Sequence, residues 1–249
     1  MTNLPNVHSL WIGPRLGPIG AACLASFAAA GHKVHLHAYE APADLPAGVT
    51  LVDASATMPK SRIIRHRQTQ SLALFSDMFR YRLLRNGADI YVDCDVYCLK
   101  PIEAGDHVFG FETDTQINGA VLGLPAGSRL LQALIAASED PKFIPPWQPR
   151  RKQRWQRLRT RLGLHPGVAA MGWGTLGPKA LTHYAKAFGV EHLAQPIDVF
   201  YPVDCKRVTA LFDPGLTLGD ITTRRTRCIH LYNEMMRQQG PDAACCVTA

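Results

Sequence analysis

Two carboxylates stand two residues apart at the end of an apolar run: Asp93 and Asp95 in "IYVDCDVYCLKP", residues 90–101. Like charges this close repel, and each loses hydration when partly buried. A metal ion, an arginine or bulk water must offset that cost. If the run is a strand, residues i and i+2 point the same way, roughly 6.6–6.8 Å apart. Both aspartates would then converge on one site beyond the strand end. Two hard oxygen donors suit Mg²⁺ or Mn²⁺, which commonly binds one or two carboxylates together with the phosphates of a substrate. Asp77 and Arg80 stand at i and i+3 in the preceding segment, on one face if that segment is a helix. They read either as a surface ion pair or as two further groups aimed at the ligand.

These residues need elements to hold them. "HSLWI" (8–12) is expected to be a first strand ending at Gly13, followed by a helix over 19–30 closed by Gly31. "KVHLHAY" (33–39) alternates as a strand does, and "VTLVDA" (49–54) is a third. In "QTQSLALFSDMFRYRLLRNG" (68–87), Leu72, Phe75, Phe79, Leu83 and Leu84 recur at helical spacing before Gly87. "DIYVD" then returns as a strand, "HVFGFE" (107–112) and "INGAVLGLP" (117–125) as two more. Helices are expected at 127–138 and 177–189, and short strands with loops in the last third. A β-α-β opening of this kind predicts an α/β fold, a parallel sheet with helices on its faces. In such open sheets ligands bind at the carboxyl ends of strands, where the two aspartates lie.

The stretch "SDMFRYRLLRNGADIYVDCDVYCLKP" resembles the core of glycosyltransferases that bind a sugar nucleotide through a DxD motif. The likeness is to the group holding the yeast α-1,6-mannosyltransferases, the α-1,4-galactosyltransferases and bacterial capsule or lipopolysaccharide relatives. "WIGPRLGPIGAACLASFAAAGHKVHLHAYE" is similar to their first strand and helix, and "FYPV" and "IHLYNE" to their closing elements. Two departures stand out. Gly87 is followed by Ala88 and Asp89 where the family has a second glycine, and Tyr232 stands where it has tryptophan. The resemblance implies a single domain of GT-A type with a Rossmann-like mixed sheet. Its nucleotide-binding half would span about 1–125 and its acceptor half about 126–234, with a tail at 235–249. It further implies Mn²⁺ or Mg²⁺ held by Asp95, Asp93 and His230. A UDP- or GDP-sugar would be gripped by Asp77, Arg80, Asp93 and Asp95, and its base would be lined by Ile12 and Gly13. Asn118 and Gly119 would form a turn that faces donor or acceptor, and the catalytic set would be Asp93, Arg80, Asp77 and Asn118. A hexose would move, with retained configuration, to a glycan or lipid-linked acceptor in polysaccharide or lipopolysaccharide synthesis.

The bulk properties fit an ordinary folded protein of 249 residues, 47% hydrophobic and 19% charged. Seven scattered cysteines argue against a secreted disulfide framework. The N-terminus lacks a basic and then apolar leader pattern, so a cytoplasmic protein is expected. The net charge of +7 has one source: residues 150–161, "RRKQRWQRLRTR", hold seven basic residues and no acid. The remainder balances at 20 of each sign. A nucleic-acid face spread over the fold is therefore not expected. The 141–165 region reads as an inserted loop, yet Arg151, Arg154, Arg157 and Arg161 recur at helical spacing beside Trp155, Leu158 and Leu162. That leaves a peripheral contact with an anionic membrane through 150–162, or a solvated basic segment, with a nucleic-acid patch third. Trp173 stacks on an acceptor sugar or fills the core.

Two rivals come from other classes. A phosphohydrolase of haloacid-dehalogenase type would use Asp93 as nucleophile and Asp95 as acid/base, although Val96 and Tyr97 follow where Gly-Thr is usual. A non-enzymatic basic protein bound to membrane or RNA would depend on 150–161 alone.

Overall fold

A computed structural model describes residues 4–236 except 166, 173 and 234. The expectation for Trp173 lies outside the described residues. The core is one six-stranded sheet in the order β3-β2-β1-β4-β7-β6. Its strands are β1 (Val7–Trp11), β2 (Val34–Ala38), β3 (Val49–Asp53), β4 (Ile90–Val92), β6 (Val108–Thr113) and β7 (Gln116–Gly123). β3, β2, β1 and β4 run parallel, and β7 returns antiparallel between β4 and β6. β5 (Val96–Cys98) and β8 (Cys228–His230) form a separate antiparallel ribbon. This is a mixed α/β single domain.

Side-chain alternation along the strands separates two cores. On one face Val7, Ile90, Val92 and Val121 pack against Leu24 and Phe27 of α1 (Gly17–Ala29). Burying two such side chains contributes about 1.5–3 kcal/mol each. On the other face Leu10 and Tyr91 meet Phe75 and Phe79 of α2 (Ala73–Arg85). Leu122 meets Leu131 of α3 (Arg129–Glu139), and the same cluster takes in Leu181 of a later helix over 178–187. The first amides of α1 are capped from a distance, since Asp44 accepts from Leu16 N and Gly17 N at 2.7 and 2.9 Å. Gly31 and Gly87 follow their helices at φ +94°, which lets the chain turn sharply into β2 and β4. After Gly87 come Ala88 and Asp89. Here Asp89 Oδ2 accepts from the backbone and side chain of Asn6 at 2.8 and 3.0 Å, pinning the start of β4 to the chain before β1.

Three expectations are corrected. The basic segment is not a loop: residues Arg150–Arg161 form α4, because the run carries no glycine, proline or β-branched residue before Thr160 to interrupt a helix. The last third is mostly helical turns rather than strands. After α5 (Pro178–Ala187) come α6 (Ile197–Phe200), a 3-10 run at Cys205–Phe212 and α7 (Leu218–Ile221), with β8 alone extended. Prolines at 196 and 202 and the capped turn at Asp204 break the alternation that a strand needs. Finally, β4 ends at Val92, one residue earlier than expected.

Among the described residues no helix is long and apolar enough to cross a membrane.

Candidate active site

The strand order reverses between β1 and β4. From β1 the chain moves outward through β2 and β3, then comes back to β4 on β1's other side. Open sheets leave a crevice beyond the carboxyl ends at such a point. Ile12 and Gly13 follow β1 there, and Asp93 follows β4. Ile12 packs partly buried beside the Leu10 and Tyr91 cluster. A Cβ on Gly13 would lie 3.4 Å from Trp11 Nε1, so glycine leaves room for the indole.

Asp93 and Asp95 do not converge as alternate residues of one strand. Asp93 N still donates to Ala120 O at 2.8 Å, extending the β4–β7 ladder by one bond. The chain then turns, with Val96 N donating to Asp93 O at 3.1 Å, and leaves as β5. Apolar Val96 and Cys98 are drawn into the α1 core, which bends the chain out of the main sheet. Register completes the site: Val96 pairs with His230, and Leu231 N donates to Asp95 O at 2.8 Å. His230, far away in sequence, is thereby set beside Asp95, its Nε2 3.2 Å from Asp95 Oδ1. Asp95 Oδ2 accepts from Asn233 N at 2.9 Å. Asp93, Asp95 and His230 each offer a ligand atom, all within 4.8 Å of one another.

Behind the aspartates lies Arg80, buried on α2. Its Nη2 donates to Asp93 Oδ1 at 2.9 Å and to Ser76 Oγ at 3.0 Å, and its Nη1 donates to Gly119 O. Asp93 Oδ2 is 3.3 Å from Nη2. The guanidinium carbon sits 4.7 Å over the Tyr91 ring, and Tyr91 OH donates to Asp93 Oδ1 at 3.2 Å. Asp77 is 3.6 Å from Arg80 Nη2. The surface-pair reading of Asp77 and Arg80 is therefore replaced: both are buried and belong to the cluster. The side chains of Asp93 and Asp95 stay 26% and 21% exposed, against 6% for Arg80. The two aspartates form the wetted face and the arginine its support.

Burial raises the Asp77 carboxyl to about 7, with Arg80 opposing and Asp93 adding to the shift. Asp93 is also raised by burial, against the pull of Arg80. Asp95 is lowered. Burial works against its ionisation, but His230 and the Asn233 N–H outweigh it. His230 is raised because Asp95 outweighs the effect of burial. Arg80 stays charged throughout.

Asn118 is not in a turn as expected. It is buried within β7, where its Oδ1 accepts from Ala120 N at 2.8 Å and its carbonyl accepts from Tyr201 OH at 3.3 Å. Its side chain shapes the strand, and its neighbour Gly119 presents the carbonyl to Arg80. A Cβ on Gly119 would lie 3.3 Å from Arg80 Nη1, so glycine permits this approach.

Sequence reasoning missed Ser76, Tyr91, Gly177 and Tyr201. Ser76 and Tyr91 lie inside the motif, four residues before Arg80 and two before Asp93, spacings that place them on the same face of helix and strand. Gly177 has no such signal. It packs against Asp77, where a Cβ would fall 2.6 Å from Oδ2. His230 touches the Tyr232 ring, at 3.9 Å between ring centres, and meets Tyr201 edge-on at 5.9 Å. Tyr232 adopts φ +46°, an uncommon conformation for a tyrosine. Two surface depressions of about 260 and 230 Å³, beside Asn6 and Asp89 and beside His107 and Arg227, contain none of these residues.

No family model matches the chain, and no curated protein does. Among solved structures it is similar to the PaToxG glycosyltransferase at 12% identity and a TM-score of 0.46, covering 74% of this chain and 68% of that one. It is also similar to a transferase mutant at 10% identity and a TM-score of 0.39, covering 70% and 90%. The geometry of the site, rather than these likenesses, carries the functional reading.

Proposed function

We propose that the protein is a metal-dependent glycosyltransferase of GT-A type that moves a hexose, with retention, from a UDP- or GDP-sugar to a glycan or glycolipid hydroxyl. One observation carries this reading. Two solvent-facing carboxylates and a histidine converge at the switch point of the sheet, with a buried arginine fixed behind them. The donor set of two carboxylates and one imidazole fits Mn²⁺ or Mg²⁺. His230 adds to the fit, since its Nε2 faces Asp95 while its buried Nδ1 has no partner among the described residues. Asp95, Asp93 and His230 would hold the ion, which when bound neutralises charge growing on a departing nucleoside diphosphate.

The protein's own groups would do the rest. Arg80, already aligned by Ser76, Gly119 and Asp93, holds Asp93 in one orientation, so the carboxylate meets the donor sugar without reorganising. Asp77, poised near neutrality, can donate or accept a hydrogen bond to a sugar hydroxyl. Ile12 and Gly13, at the adjacent strand end, would line the base. Both oxygens of Asp93 lie against Arg80, which makes it a poor free nucleophile. That favours front-face attack by the acceptor hydroxyl, and it also weighs against the phosphohydrolase reading.

Calorimetry with UDP- and GDP-sugars tests the proposal. Binding is expected with Mn²⁺ or Mg²⁺ and is lost in EDTA or in Asp95→Ala, with circular dichroism confirming that the variant is folded. Equal affinity with and without EDTA would refute metal-bridged binding. Phosphate release from p-nitrophenyl phosphate, with no sugar-nucleotide binding, would favour the hydrolase instead.

A further inference from the structure

We infer that α4 is a membrane-surface helix that lies on a bilayer containing anionic phospholipid. The argument begins with the direction of its faces. A helix on a globular protein normally turns its apolar stripe inward. Here the order is inverted. Trp155, Leu158 and Leu162, at i, i+3 and i+7, are 55%, 56% and 65% exposed. Gln153, Gln156 and Thr160, on the opposite side, are half-buried, as is Arg159 on one flank. Gln153 Nε2 donates to Pro146 O and Gln148 O at 3.0 and 2.7 Å, tying the polar face to the preceding loop. No residue of the helix is buried.

The charges are arranged around that outward stripe. At 100° per residue, Arg154 and Arg161 fall on one flank and Lys152 and Arg159 on the other, while Arg151 stands in line with the stripe at its N-terminal end and Arg150 and Arg157 lie farther round. Arg159 folds over Trp155 at 4.6 Å. Among the described residues none of the seven cations is in an ion pair with a carboxylate. An apolar ridge between two cationic margins complements lipid tails flanked by anionic headgroups. A phosphodiester strand would satisfy the cations but leave Leu158 and Leu162 in water. This is why the bilayer is preferred to nucleic acid.

The mounting suits the task. Before α4, Phe143 and Trp147 anchor the chain, the indole 5.1 Å from His183 on α5. After it, Val168 and Met171 dock in the same cluster beside Leu74. Arg67 N donates to Ala169 O at 2.8 Å, and Tyr81 OH donates to Leu176 O at 2.8 Å. The helix, about 18 Å long, is thus held at both ends while its outer face stays free. The inference concerns the surface alone and holds whether or not the protein transfers a sugar.

Vesicle flotation tests it on the full chain. Phosphatidylcholine vesicles containing phosphatidylserine should bind the protein, and vesicles of phosphatidylcholine alone should bind it about tenfold or more weakly. Leu158→Asp with Leu162→Asp, both on an exposed face, should lower binding on the order of tenfold without moving the melting temperature. Brominated acyl chains should quench the wild type more than Trp155→Phe, which places the indole below the headgroups. Binding that is indifferent to the aspartate pair, or equal quenching in both proteins, would overturn the inference in favour of a purely ionic contact. Retention on homopolymeric RNA at the same salt, with no flotation, would overturn it in favour of nucleic acid.

Discussion

Arg80 and Arg154 are the same side chain under opposite conditions. Arg80 is buried among two carboxylates, a hydroxyl and a carbonyl, and each charge nearby lies against one of opposite sign. Arg154 stands in water among like charges. A buried cation is expensive to desolvate and is tolerated only with its partners complete. An exposed one costs little and contributes little to folding, so it is free to serve something outside the molecule. Charge in the first region thus fixes geometry, and in the second it makes an adhesive surface.

The sharpest way to break this contrast is to delete the buried cation. Arg80→Met keeps the length of the side chain but leaves Asp77 and Asp93 facing each other without a counter-charge. We expect a loss of about 3–5 kcal/mol in urea unfolding, smaller at low pH where the carboxyls are protonated. A loss below about 1 kcal/mol would mean that water already screens the cluster. Arg80→Lys should fall between, since an ammonium cannot serve Asp93, Ser76 and Gly119 together.

A smaller effect is expected one shell out. In Gly177→Ala the new methyl would sit 2.6 Å from Asp77 Oδ2. Something must move, and the buried carboxylate has little room. The expected cost is about 1–3 kcal/mol in guanidinium unfolding, with weaker sugar-nucleotide binding as Asp77 shifts. An unchanged midpoint would show slack behind Asp77 and would remove Gly177 from the support of the site.

How far this was legible in the sequence follows from the range of each interaction. The parallel strands, α1 and α2 came from local periodicity and glycines at helix ends. The cluster of Asp77, Arg80 and Asp93 sits within 17 residues of chain, so helical and strand spacing brought its members together on paper. The pairing of Asp95 with His230 depends on a β5–β8 register 134 residues apart (Val96 to His230), and only the family resemblance pointed there. The turn at 93–95 was hidden because Val96 to Cys98 look like more of the same strand, while their burial against α1 pulls them away. Asn118 was misplaced because asparagine beside glycine is a turn signal that tertiary packing overrode. The outward face of α4 could not be read from periodicity, which reveals a stripe but not which way it points.

A pH experiment sharpens the contrast at the wetted face. His230 must be neutral to ligate a cation, and Asp95 holds its pKa above the ordinary 6.5. A raised value means that the imidazole keeps its proton to higher pH, so a metal ion must displace that proton. Mn²⁺ affinity should therefore rise with pH through the raised value and fall about tenfold per unit below it. Asp95, whose value is lowered, does not titrate in this window. Titration calorimetry between pH 5 and 9 reads this directly. A flat profile, or one unchanged in His230→Ala, would remove the histidine from the ligand set.

The smallest expected effect has the opposite sign from the first. Arg154 has Arg150, Arg151 and Arg157 at helical neighbour positions i−4, i−3 and i+3. Each like-charge pair destabilises a helix by about 0.2–0.5 kcal/mol, and alanine is the best helix former. Arg154→Ala should therefore leave stability unchanged or raise it by under about 1 kcal/mol. Added salt should narrow the gap, because it screens the wild-type repulsion over about 10 Å at 0.1 M. The measurement is the melting temperature of both proteins across a salt series. A clear loss of stability would mean that Arg154 has a structural partner, and α4 would then be part of the scaffold rather than a surface held out from it. Survival of the fold with loss of vesicle binding in the same variant would instead separate the two uses of arginine within one chain.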